Sequence, residues 1–117
     1  MTIDHVLAVV AVSDLDTASR WYAELFDRQP DNNPMPSLVE WQVADHAWVQ
    51  VFVDADRAGK GLLNFAVSDL AAEVAALTTR GLALGAIVDA NKGVQTCELT
   101  DPDGNTISLI GGFRVEY

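Results

Sequence analysis

One pentapeptide occurs twice in this chain, and its spacing constrains the fold more than any other feature. Ala-Val-Ser-Asp-Leu stands at residues 11–15 and again at 66–70 of a 117-residue chain. Each copy follows an apolar run: His5-Val6-Leu7-Ala8-Val9-Val10 in the first half, Gly61-Leu62-Leu63-Asn64-Phe65 in the second. Each copy also precedes apolar residues at helical spacing. A repeat period close to half the chain, with matched flanks, predicts two similar modules, one over about 1–55 and the other over about 56–117. The length suits a single domain built from both.

The residues around each copy fill in the module. Ser13 is expected to cap the first helix, with Asp16 three residues on as in a capping box. Asp14 and Asp16 stand where a helix dipole favours negative charge. Leu15, Ala18, Tyr22, Leu25 and Phe26 recur at helical spacing and predict a helix over 14–26, with Trp21 and Tyr22 as a structural pair. The run 28–34, with two prolines and two asparagines, reads as the turn that ends it. In the second module Ser68 is the expected cap, Leu70, Val74 and Leu77 form the stripe, and Gly81 is the C-cap. Strands are expected over 38–43 and 47–53, joined by the turn Ala44-Asp45-His46. Further strands are expected over 86–88, 94–100 and 106–110, the last two joined by Asp101-Pro102-Asp103-Gly104-Asn105. The order is strand, helix, then two or three strands, twice over, which is an α+β pattern.

Composition narrows the function. Seven Lys+Arg against 17 Asp+Glu give a net charge of -10. That balance argues against nucleic acid and against an anionic membrane surface; it would tolerate or attract a cationic ligand, and its plain reading is an acidic, soluble surface. The single cysteine, Cys97, rules out an internal disulfide and a thiolate-rich zinc site, and it reads as an inert core thiol. With no basic leader and no apolar run long enough to span a bilayer, the expected location is cytoplasmic. No nucleophile elbow, phosphate loop or dinucleotide fingerprint is present. Asp101 and Asp103 are explained by their turn.

The segments AVSDLDTASRWYAELF (11–26) and LTDPDGNTISLI (99–110) resemble the vicinal oxygen chelate superfamily. That superfamily includes glyoxalase I, extradiol dioxygenases, fosfomycin resistance enzymes and bleomycin resistance proteins. The resemblance covers nearly the whole chain. It implies two tandem βαβββ modules forming a cup-shaped curved sheet, with four cup-facing positions that commonly ligate a divalent metal. Here those positions read Leu7, Gln50, Leu62 and Ser108. Leucine cannot ligate, and Gln and Ser are weak neutral donors. No metal and no cofactor are therefore expected. A displaced ligand set of His5, Gln50 and Glu98 is the one rescue, and Lys60, the counterpart of His5 in the second module, disfavours a cation nearby. His5 otherwise reads as a rim histidine and His46 as an exposed turn residue.

Strand alternation groups the residues by face, and the resemblance implies which face lines the cup. Leu7, Val9 and Ala11 share one face, as do Leu62, Asn64 and Ala66, and Trp48, Gln50 and Phe52. An apolar wall with a few polar groups is the usual make-up of a small-molecule pocket. The expected ligand-binding residues are Leu7, Val9, Trp41, Trp48, Gln50, Phe52, Leu62, Asn64 and Ser108, although the pattern does not assign Trp41 to a face. The reading is a metal-free binding protein for a small molecule, closest in character to bleomycin resistance proteins, sequestering an aromatic or cationic antibiotic. The resemblance also implies a homodimer. The alternative is an enzyme, either a metal-dependent lyase, isomerase or dioxygenase with a non-standard ligand set, or a metal-free isomerase with His5 or Glu98 as base. A third option is a module whose cup is filled by its own side chains. The tail 111–117 is expected against the cup or a partner subunit.

Overall fold

The computed structural model describes residues 1–116, and Tyr117 lies outside the described residues. The elements run β1 (Val6–Val12), α1 (Leu15–Phe26), β2 (Asn32–Met35), β3 (Leu38–Ala44) and β4 (Ala47–Val53). The same series then repeats as β5 (Leu62–Val67), α2 (Leu70–Thr79), β6 (Val88–Asp89), β7 (Gln95–Thr100) and β8 (Thr106–Gly111). The chain is thus an α+β fold of two similar βαβββ modules. Each builds an open four-stranded mixed sheet, in the order β1-β4-β3-β2 and β5-β8-β7-β6. The first strand of each module pairs parallel with the last, and the remaining pairs are antiparallel. No helix among the described residues is long and apolar enough to cross a membrane.

Two compact units emerge. Among the described residues, the first holds 1–61 together with 101–105, and the second holds 62–100 and 106–116. In the first, Ala18, Tyr22 and Leu25 of α1 are buried, as are Val10 and Val12 of β1 and Val49 and Val51 of β4. In the second, Leu70 and Leu77 of α2 are buried with Cys97, Leu99, Ile107 and Leu109. Gly111 is needed there, because a Cβ at that position would lie 2.9 Å from the Leu70 Cβ.

Three expectations change. Neither serine is the helix cap: Asp14 and Asp69 hold that position. Asp69 Oδ1 accepts from the Ala72 amide at 3.1 Å, whereas Asp14 Oδ2 accepts from the Thr17 hydroxyl at 2.6 Å. That bond holds the Asp14 carboxyl below its ordinary range. Residues 32–35 are not only turn but an edge strand, where Pro34 costs little because an outer strand needs fewer donors. Asn33 Nδ2 secures it by donating to the carbonyls of Met35 and Leu38. The short strand expected over 86–88 is Val88–Asp89. In the tail, the Arg114 guanidinium donates to the Lys92 carbonyl at 2.6 Å, and Phe113 and Val115 are exposed.

The turn after β7 holds the first unit together. Asp101 is buried, and its carboxylate accepts four hydrogen bonds. They come from the Tyr22 hydroxyl at 2.7 Å, Asn105 Nδ2 at 2.8 Å, the Asn105 amide at 2.9 Å and the Asp103 amide at 3.0 Å. Asn105 extends the network, donating to the Ala11 carbonyl at 2.8 Å and accepting from the Gly61 amide at 2.7 Å. Asp103 accepts from the amide and hydroxyl of Ser13, which explains why that serine does not cap.

Burial, together with the hydrogen bond to Asp101 and its charge, pushes the Tyr22 hydroxyl far above its ordinary range. The folded state therefore holds this proton more tightly than the unfolded chain does. Its stabilising contribution is complete below the unfolded pKa of about 10 and falls as pH rises above it. Tyr22→Phe leaves a buried carboxylate short of a donor. It is expected to cost about 1–3 kcal/mol at neutral pH and to flatten the decline in stability above about pH 10, both read from urea unfolding across pH.

Candidate functional site

Register assigns every side chain of the first sheet to a face. Leu7 pairs with Trp48 and Trp48 with Gln42, Val9 pairs with Gln50 and Gln50 with Glu40, and Ala11 pairs with Phe52. Paired residues share a face. The opposite face holds Val10, Val12, Val49 and Val51, all buried. The face away from the core keeps Leu7 at 52% and Val9 at 58% exposure, with Trp48, Gln50 and Phe52 half-buried. Leu7 and Val9 stand on β1, the outer strand beside β4, and this exposed apolar surface is a candidate for contact with a ligand.

Trp41 is not part of that surface. It pairs with Val49, is 0% exposed, and packs against Tyr22 and Phe26 with ring centroids at 6.3 and 5.4 Å. Its Nε1 donates to the Arg28 carbonyl at 3.0 Å. Trp41 is a core residue, and its place among the expected ligand contacts is corrected. Trp21 and Tyr22 do form the expected pair, edge to face at 4.8 Å.

The polar groups of the open face are tied to one another. Gln50 Nε2 donates to Glu40 Oε2 at 2.7 Å, and Asn32 Nδ2 donates to Glu40 Oε1 at 3.1 Å. Trp48 Nε1 donates to His5 Nδ1 at 3.1 Å, and the His5 and His46 rings meet edge to face at 5.1 Å. An Nδ1 that accepts this bond carries no proton, so a neutral His5 bears its proton on Nε2. At the sheet margin the Arg28 guanidinium bonds Asp31 at 2.6 Å and holds that carboxyl below its ordinary range, while Asp31 accepts the Gln42 amide at 2.7 Å.

A cleft of about 340 Å³ opens at one end of this face. Val9, Ala11 and Phe52 line it, along with Asp54, Arg57, Lys60 and Gly61 from the segment after β4. Arg57 and Lys60 as cleft residues, and Glu40 as the partner of Gln50, are additions to the sequence reading. Two of the chain's seven cations within four residues was the available signal.

In the second sheet, Asn64 pairs with Ser108 and Ser108 with Glu98, so these three share a face. Leu62 and Ala66 lie on that face too, with Leu62 at 64% exposure and Ser108 at only 6%. Cys97 faces the other way, is buried and has its thiol pushed up by that burial, as a core residue would.

The four positions at which the resemblance implies metal ligands do not fit a divalent ion. Leu7 and Leu62 offer no donor atom, Gln50 is held by Glu40 through its amide nitrogen, and Ser108 is a buried neutral hydroxyl. Among the described residues no three His, Cys, Asp or Glu side chains are grouped so as to hold a metal.

Comparison with known proteins places this geometry among relatives. The family model described as a glyoxalase-like domain matches residues 7–110. A glyoxalase/bleomycin resistance protein from Catenulispora acidiphila is 26% identical, with a TM-score of 0.85 over 92% of this chain and 96% of that one. TnmS3, an antibiotic binding protein from Streptomyces sp. CB03234, is 25% identical, with a TM-score of 0.73 over 95% and 98%. A lactoylglutathione lyase from Agrobacterium tumefaciens shares the fold at 21% identity and a TM-score of 0.73, over 92% of each chain. A search of curated proteins returned no match.

The two strand tryptophans should separate in solution. Trp48→Phe is expected to remove much of the emission that acrylamide quenches, with little loss of stability. Trp41→Phe should spare the quenchable emission yet lower the melting temperature, since it leaves the Arg28 carbonyl without its indole partner.

Proposed function

We propose that this chain, which belongs to the glyoxalase-like domain family, works as a metal-free binding protein for a small molecule with an apolar, aromatic body. The observation that carries the reading is the exposed apolar surface of Leu7 and Val9 beside Trp48 and Phe52. Leucine stands where a metal-dependent relative would need a ligand, and an indole and a phenyl ring stand where a planar molecule could stack. Polar groups that could orient such a ligand are present on the same face in Gln50 and Glu40; the second sheet, taken by itself, carries Asn64 and Ser108 together on one face. Sequestration of an antibiotic is the sharpest form of the reading, and the likeness to an antibiotic binding protein supports it. A homodimer in the cytoplasm, free of nucleic acid, completes the proposal.

Two measurements test it. Elemental analysis of tag-free, chelator-free protein, before and after incubation with nickel, zinc, manganese and iron(II), is expected to find no retained metal. About one ion per chain, lost in His5→Ala or Glu98→Ala, would instead establish a metal-dependent enzyme with a displaced ligand set. Titration with planar polycyclic aromatic antibiotics should then quench tryptophan emission and raise the melting temperature. Trp48→Ala should weaken that binding about tenfold.

A further inference from the structure

We infer that the ligand carries an anionic group, and that Arg57 and Lys60 hold it at the mouth of the cleft whose floor is Val9, Ala11 and Phe52. The inference rests on the small-molecule reading above and names the charge of the molecule bound. It departs from the expectation of a cationic ligand that the net charge of the whole chain suggests. Net charge acts at a distance and is screened within about 10 Å at ordinary salt, so a bound group responds to its local neighbours.

Locally the balance is reversed. The cleft lining includes two cations, Arg57 and Lys60, and one carboxylate, Asp54. Asp54 reaches the Arg57 Nε only at 3.7 Å, beyond hydrogen-bond length, and the Arg57 side chain is 84% exposed. Among the described residues, Arg57 makes no side-chain hydrogen bond. Lys60 Nζ makes one, donating to the Asp56 carbonyl at 3.2 Å, and an ammonium has three N–H groups to give. Both cations therefore keep donors for a carboxylate, sulfonate or phosphate.

The segment that carries them is not a loose loop. The Asp54 amide donates to the Val12 carbonyl at 3.0 Å, the Arg57 amide to the Asp54 carbonyl at 3.2 Å, and the Gly61 amide to Asn105 Oδ1 at 2.7 Å. Gly59 adopts φ +84°, and a Cβ there would come within 2.3 Å of the Asp103 carbonyl oxygen. The backbone between the two anchors is thereby held against the turn at 101–105. Cations presented from a held backbone lose less freedom on binding an anion than cations on a mobile loop.

The test uses two dyes with one aromatic body, anilinonaphthalene sulfonate and its uncharged parent phenylnaphthylamine, both fluorescent when bound in an apolar site. The folded protein should bind the sulfonate about tenfold more tightly, as expected for one charge-assisted contact, and added salt should erode the difference. Arg57→Gln with Lys60→Gln should abolish the preference and leave phenylnaphthylamine affinity unchanged. Lys60→Glu should reverse it, and Lys92→Gln should do nothing. Circular dichroism checks that each variant is folded. Equal binding of the two dyes, or an equal loss of both in the Gln variant, overturns the anionic assignment and leaves the small-molecule reading standing. Failure of the folded protein to bind either dye removes both.

Discussion

A single buried carboxylate sets much of the geometry of the first unit. Asp101 takes four donors, and the only one from outside its own turn is the Tyr22 hydroxyl of α1. A buried charge is tolerated only with such a complete set of partners. Once Asp101 is satisfied, Asn105 is placed to bind the end of β1 at Ala11 and the chain entering β5 at Gly61. Asp103 is placed at Ser13 and against Gly59. Helix, first strand and the Arg57–Lys60 segment therefore take their positions from one five-residue turn.

The two faces of the first sheet follow from what covers them. The side packed against α1 buries Val10, Val12, Val49, Val51 and the whole of Trp41. The other side keeps its leucine and valine in contact with water and lets Gln50, Glu40 and Asn32 satisfy one another. A sheet that needed only stability would put polar residues on the uncovered side. Retaining apolar ones there exposes a surface that a bound molecule can cover.

Much of this was legible from residue patterns. The AVSDL repeat located both modules, and period-two alternation placed Leu7, Val9, Trp48, Gln50, Phe52, Leu62 and Asn64 on their faces. Trp41 escaped for a physical reason. Counting back from the Ala44–Ala47 pair would set Trp41 opposite Gln50, on the open face. The ladder shifts by one residue between Gln42 and Ala44, and Trp41 meets Val49 instead. A one-residue shift reverses every face beyond it, and nothing in the composition announces it. Strand β2 was hidden because Asn and Pro serve an edge strand and a turn equally well. Asp101 was hidden because a turn explains an aspartate completely, which leaves no residue-level sign that its carboxylate is also bound at Tyr22, 79 positions away.

That separation bears on how the chain is made. The first compact unit comprises residues 1–61 and 101–105. During synthesis from the N-terminus, β1 through β4 leave the ribosome well before the turn that completes them. Until residue 105 has cleared the exit tunnel, Tyr22 has no carboxylate to bond and the Ala11 carbonyl lacks its asparagine. Contacts of such long sequence separation form late and slow folding. The nascent first module thus lacks its closing turn until synthesis has passed residue 105.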